Sequence, residues 1–108
     1  MLQRNEIKRK LSRIEHDMEV VVKACQADAS MPQELKDCVT EWKQMAATTQ
    51  PAFESHDNQR LRGCVDDLEH IAHRAEMALQ DVSGVDDKVR ESVLHAQRDL
   101  LDLKRKLH

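Results

Sequence analysis

Apolar residues recur along the first 25 positions at alternating intervals of four and three residues. The series consists of Ile7, Leu11, Ile14, Met18, Val21 and Cys25. Residues three and four apart share one face of an α-helix, so this spacing predicts a helix over residues 2–27. Polar residues fill the remaining positions, which is typical of a helix that packs one side against a core.

Three further segments repeat the pattern and predict helices over residues 31–47, 56–82 and 84–107. Short connections force neighbouring helices to run antiparallel. We therefore predict an all-α fold, an antiparallel up-down-up-down four-helix bundle that forms a single domain over residues 1–108. The alternative architecture is an extended hairpin that completes its core only by dimerising.

Polar residues and prolines between the four segments predict where the helices begin and end. The expected starting residues are Ser30 with Gln33 as a capping box, Ser55 or Asp57, and Ser83 with Asp86 as a second capping box. Pro51 cannot donate a backbone hydrogen bond, so the second helix is expected to end near residue 47. Phe53 is then expected to fill the end of the bundle from a loop.

Composition narrows the classes of function. The chain has one Trp, one Phe and no Tyr, which argues against an aromatic platform for single-stranded nucleic acid. Its longest apolar run, Val20-Val21-Val22, is too short to span a membrane, and no signal peptide is expected. Three cysteines at Cys25, Cys38 and Cys64 lack metal-site spacing, so we expect reduced thiols in a cytoplasmic protein.

Six histidines raise the question of a metal site. Asp66, His70 and His73 are spaced four and three residues apart on the third helix, where they could share a divalent ion. That face is predicted to point to solvent, so we assign no metal ligand and no cofactor. A metal-binding or metal-responsive bundle that uses Asp66, His70 and His73 remains an alternative.

Sequence signatures of enzymes are absent. The chain has no Gly-rich phosphate loop, no Glu-x-x-His repeat and no His-Glu-x-x-His motif. His73 resembles the exposed histidine of phosphotransfer bundles, whose active helix reads His-x-x-Lys-Gly, but Glu76 and Met77 stand in place of its Lys and Gly. We therefore predict a chain that is not an enzyme.

Short segments are similar to the helical repressors typified by the copper sensor. Leu11-Ser12-Arg13-Ile14-Glu15 is similar to the motif of their first helix, and Cys38 and Leu61-Arg62-Gly63-Cys64 resemble the parts that carry their two cysteine ligands. The resemblance covers under a third of the chain. Arg60 stands near the position of the family's ligand histidine, and Pro51 interrupts its long second helix.

Positive charge gathers at the start of the first helix and the end of the fourth. In an up-down bundle these two segments lie side by side, which forms a basic end opposite an acidic end. Helix dipoles favour cations at a helix C-terminus but not at an N-terminus, so they explain the charge of the fourth helix but not that of the first. The charge on the first helix indicates either a simply solvated helix start or an anionic partner. The candidate partner-binding residues are Arg4, Lys8, Arg9, Lys10, Arg13, Lys104, Arg105 and Lys106.

Leu94 and Leu101 lie off the main apolar seam of the fourth helix. They are either part of a broad core face or a second seam that pairs with a second copy of the chain in a two-fold dimer. A homodimer through Leu94 and Leu101 is therefore a candidate assembly.

Together these patterns favour a helical interaction or regulatory module, which acts without catalysis and whose main partner is a protein. The first alternative is the metal-responsive bundle. The second is a regulator that binds an anionic partner, either nucleic acid or an acidic protein, through its basic end.

Overall fold

A computed structural model of the chain describes residues 4–80, 82 and 84–107. These residues form four helices: α1 (Arg4–Ala27), α2 (Gln33–Glu54), α3 (Asn58–Gln80) and α4 (Asp87–Leu107). The predicted four-helix bundle is confirmed. Its dimensions of 42 × 21 × 18 Å correspond to one long helix in length and two helices in width.

Each helix buries one apolar face in a shared core, as the spacing predicts. The first helix contributes Ile7, Leu11, Ile14, Met18, Val21 and Val22. The third helix packs closely against both α2 and α4, and α1 packs closely against α4. In contrast, α1 and α2 approach each other at few points, so a shallow groove lies along the line between them.

Arg4 fixes the start of α1 against the end of α2. Its Nη2 donates a hydrogen bond of 2.8 Å to the carbonyl oxygen of Phe53, and its guanidinium lies 4.3 Å from the centre of the Phe53 ring. A cation over an aromatic face is an attractive contact. This contact holds α1 and α2 antiparallel at that end of the bundle.

The predicted capping residues are correct for one helix and wrong for two others. Asp57 caps α3 as expected, because its Oδ1 accepts a hydrogen bond of 3.0 Å from the backbone N–H of Arg60. Ser30 does not cap α2, because its hydroxyl donates to Asp28 instead. The helix starts at Gln33, after Pro32 and without a side-chain cap.

The start of α4 also differs from the prediction. Its first residue is Asp87 rather than residue 84, and Asp86 accepts a hydrogen bond of 3.0 Å from the backbone N–H of Lys88. Asp86 therefore caps the helix itself instead of completing a capping box. Ser83, the other half of the predicted capping box, lies outside the described residues.

Pro51 lies inside α2, so the expected end near residue 47 is wrong. The helix continues for about two more turns to Glu54, and Phe53 is buried from the last of these turns rather than from a loop. Proline removes one backbone donor from a helix interior. Burial of Ala52 and Phe53, at 0% and 7% exposed, offsets that loss.

Within the described residues, no helix combines the length and the apolar character that crossing a lipid bilayer requires.

Candidate functional site

Two leucines lie exposed on the outward side of α4. Leu94 is 44% exposed and Leu101 is 38% exposed, whereas Leu100 and Leu103 of the same helix are fully buried. Single exposed leucines are common on protein surfaces, but two that share a helix face form a small apolar patch. The alternative in which Leu94 and Leu101 belong to a broad core face is therefore wrong.

Two arginines alternate with these leucines. Leu94, Arg98, Leu101 and Arg105 are four, three and four residues apart, so their side chains form one line along the helix. We call these four residues the α4 stripe, and all four are exposed. The stripe lies on the side of α4 away from its buried residues, which are Val89, Ser92, Val93, Ala96, Leu100 and Leu103.

A groove of about 570 Å³ runs beside the α4 stripe, between α1 and α4. Arg98 belongs both to the stripe and to this α1–α4 groove. Charged and polar residues line the groove because helical spacing places them on α1 and α4 next to the apolar seams. Its lining consists of Arg9, Ser12, Arg13, His16, Asp17, His95, Arg98 and Asp99.

The α1–α4 groove contains three arginines and two aspartates, which makes it positively charged overall. Arg13 Nη2 donates a hydrogen bond of 2.9 Å to Asp99 Oδ1, so this pair neutralises itself. Arg9 and Arg98 make no ion pair or side-chain hydrogen bond within the described part of the chain. Their guanidinium groups are exposed and available to a carboxylate or phosphate.

Asp17 lies half-buried in the same groove. Burial raises the pKa of Asp17 above its ordinary value of 3.8, and the smaller opposing effect comes from His95. The nearby Asp99 carboxylate also raises the pKa. Asp17 is thus a charged group whose ionised form the fold disfavours.

Five of the eight basic residues predicted to bind a partner have partners within the chain. Their contacts are Arg4 with the Phe53 carbonyl at 2.8 Å, Lys10 with Asp102 at 2.7 Å, Arg13 with Asp99 at 2.9 Å, Lys104 with Glu69 at 3.9 Å, and Lys106 with Asp102 at 3.2 Å. Lys8, Arg9 and Arg105 have none among the described residues.

The Lys10–Asp102 contact shows how acidic residues neutralise positive charge at the basic end. The hydrogen bond from Lys10 lowers the pKa of Asp102 below its ordinary value, and Lys106 contributes further in the same direction. Acidic residues of α3 and α4 therefore neutralise much of the predicted basic end. Three exposed arginines that make no ion pair among the described residues lie in the α4 stripe and on the edge of the α1–α4 groove: Arg9, Arg98 and Arg105.

The structure does not bring Asp66, His70 and His73 together as metal ligands. His73 Nδ1 lies 3.2 Å from Gln97 Nε2 on α4, whereas His70 lies in a groove with Glu41 and Thr48 on α2. Across the described residues, no three His, Cys, Asp or Glu side chains are grouped so that they could hold a metal ion.

The three cysteines are free thiols. Cys38 and Cys64 are buried and Cys25 is half-buried. Burial raises the pKa of the Cys25 and Cys38 thiols, so both are poor nucleophiles at neutral pH. Cys38 lies near the start of α2 and Cys64 near the start of α3, which places them towards opposite ends of two antiparallel helices.

Reasoning from the sequence missed the groove residues of α4 and the acidic partners of the basic end. His95, Arg98, Asp99 and Asp102 are three, one and three residues apart, which marks one polar face of α4. The corresponding face of α1 carries Arg9, Arg13 and His16. In an antiparallel pair, residues 9–16 of α1 lie beside residues 95–102 of α4. Comparing the two polar faces in this alignment would have revealed both the groove and its ion pairs.

Comparisons of the chain with protein-family models, with curated proteins and with solved structures give no match. The case for a function therefore depends on the surface of the bundle itself.

Proposed function

We propose that the chain is a protein-binding regulatory module that docks its partner on the α4 stripe and has no catalytic role. The observation that carries this proposal is the exposure of Leu94 and Leu101 on the side of α4 away from the core. The bundle leaves 44% of Leu94 and 38% of Leu101 exposed to water. A partner protein that covers them gains the free energy of their removal from water.

The chemistry of the cysteines supports a role without catalysis. Two of the three thiols are buried, and burial raises the pKa of the half-buried Cys25, so none is an activated nucleophile. Free thiols also support a reducing compartment, and the cytoplasm is the location that we propose.

Placement of the positive charge supports a protein partner over nucleic acid. Binding to a phosphate backbone gains most from many unpaired cations. Five of the eight predicted basic residues already have partners within the chain. Of the predicted residues without such a partner, Arg105 lies on the α4 stripe, where it and Arg98 alternate with leucines. A leucine side chain gains nothing from contact with phosphate.

The experiment is site-specific photo-crosslinking in an extract of the source organism. A benzoylphenylalanine residue replaces Leu94 in one protein and Thr40, an exposed residue of α2, in the control. We expect a discrete protein adduct from position 94 and none from position 40. Mass spectrometry identifies the captured protein, which is then purified for a direct binding measurement.

In that measurement, substitution of Leu94→Gln with Leu101→Gln should weaken the affinity of the purified partner by at least about tenfold. Two apolar contacts of roughly 1 kcal/mol each account for this loss. The proposal fails if the captured protein binds the double variant as tightly as the original chain, or if position 40 captures the same protein.

A further inference from the structure

The charged residues of the α4 stripe indicate what kind of protein segment it binds. We propose that the partner segment is an acidic amphipathic helix, which lies along α4 with leucine-like side chains on Leu94 and Leu101 and carboxylates on Arg98, Arg105 and Arg9. This inference rests on the proposed function, because it assigns a chemical class to the partner of the same surface.

Complementary charge is the first argument. Arg98 and Arg105 are exposed, and each makes no ion pair within the described residues. Arg9 lies on the opposite wall of the α1–α4 groove and is also without such a pair. Three unpaired guanidinium groups around two exposed leucines are matched by a segment that carries both carboxylates and apolar side chains.

The shape of the surface is the second argument. Residues 94 to 105 of α4 span roughly 16 Å, about three helical turns. A partner helix of similar length presents residues at positions i and i+7 to the two leucines, and its flanking positions reach the arginines. The α1–α4 groove of about 570 Å³ beside the stripe offers space for one row of those flanking side chains.

A second copy of this chain fits the stripe less well. In an antiparallel pairing that places Leu94 on Leu101 of the other copy, Arg98 falls close to its own counterpart at the two-fold axis. Like charges that face each other across an interface are unfavourable.

The experiment titrates the full chain with a fluorescein-labelled synthetic peptide. The peptide is an 18-residue amphipathic helix with leucines along one face and glutamates beside them. A second peptide has the same composition in an order that destroys the apolar face, and a third carries lysine in place of glutamate. Duplex DNA is the fourth probe, and sedimentation of the chain alone reports pairing with a second copy.

We expect the acidic amphipathic peptide to bind with micromolar affinity and the other probes to bind at least about tenfold more weakly. Arg98→Gln with Arg105→Gln should lower the affinity for the first peptide by about tenfold, in line with loss of two exposed ion pairs. The matched control is Lys23→Gln with Lys43→Gln, which removes the same two positive charges from exposed positions on α1 and α2. Binding to this control should change less than twofold.

Equal binding of the ordered and reordered peptides overturns the inference, as does equal weakening by the two pairs of charge substitutions. Preference for duplex DNA, or a dimer that Leu94→Gln with Leu101→Gln dissociates, assigns the surface to a different occupant and also overturns it. The photo-crosslinked protein separates this failure from failure of the proposed function. If its binding depends on Leu94 and Leu101 but not on Arg98 and Arg105, docking on α4 stands and the acidic class is wrong.

Discussion

Trp42 shows how much of the core a single residue reveals. Its apolar neighbours in sequence predict a buried position on the second helix, and the indole is 4% exposed in the bundle. It lies beside Met18 and Val22 of α1 under the shallow groove between α1 and α2. The periodic pattern identifies such a residue because a helix that packs against a core must bury the residues of one face.

Replacing Trp42 with alanine should lower the free energy of unfolding by about 3–5 kcal/mol, since a large cavity replaces the indole. Urea unfolding followed by circular dichroism measures the change. Its exposed neighbour Lys43, replaced by alanine, should change the value by less than about 0.5 kcal/mol. A native fluorescence spectrum of water-exposed tryptophan would contradict the burial.

Asp17 leads to a prediction about pH. Because burial raises its pKa in the folded chain, the folded state holds the proton more tightly than the unfolded state. Stability contributed by this group is therefore present at low pH and is lost as pH rises above 3.8 through the raised folded value. Asp17→Asn should raise the free energy of unfolding at pH 7 and leave it nearly unchanged at pH 3.

The measurement is urea unfolding at a series of pH values, with Glu15→Gln, an exposed carboxyl two residues away on α1, as the control. Asp17→Asn should stabilise the chain at neutral pH relative to this control. A destabilising effect at pH 7 would mean that the ionised carboxylate contributes net stability through its neighbours.

At the level of the helix, α2 shows where local sequence signals are insufficient. Proline predicts a helix end, yet α2 continues through Pro51 because Ala52 and Phe53 bury their side chains beyond it. Ser30 similarly offers a cap, but Asp28 competes for its hydroxyl at 2.6 Å. Asp57 has no such competitor, and its capping role was predictable. Tertiary packing and local hydrogen bonds decide these cases, and neither is visible in apolar spacing alone.

Pro51→Ala should restore the missing backbone donor and remove the clash of the ring with the preceding turn. Those two effects should raise the free energy of unfolding by about 3 kcal/mol. The unfolded chain gains freedom when proline is removed, which lowers that value by ~1 kcal/mol. The expected net gain in the free energy of unfolding is about 2 kcal/mol. Thermal and urea unfolding measure it. A loss of stability on this substitution would show that the proline ring itself contributes packing.

The two faces of α4 make a matched test of the helix. Leu94→Glu with Leu101→Glu should change the free energy of unfolding by less than about 1 kcal/mol, because both positions face solvent. Leu100→Ala or Leu103→Ala, at buried positions of the same helix, should each cost about 2–5 kcal/mol. Loss of helical circular dichroism in the double glutamate variant would place Leu94 and Leu101 in the core and remove the proposed docking surface.

On the scale of the whole molecule, the charge layout follows from the sequence only in outline. Antiparallel helices place the start of α1 beside the end of α4, and Lys10 lies 2.7 Å from Asp102 as a result. The order of the helices predicts that cations of α1 and α4 lie at the same end of the bundle. It does not predict their ion pairs, which depend on how α1 and α4 are rotated about their axes. That rotation also decides that Arg98 faces the groove and that the α4 stripe points outward.

The most direct test of docking on the α4 stripe is a comparison of leucine methyl NMR spectra. The spectra are recorded on the full chain alone and with the purified partner protein that photo-crosslinking identified. The methyl signals of Leu94 and Leu101 should shift or broaden on binding, whereas those of the buried Leu100 and Leu103 should change little. Unchanged Leu94 and Leu101 signals, with a shift instead at Leu11 beside the groove between α1 and α2, would rule out docking on the α4 stripe.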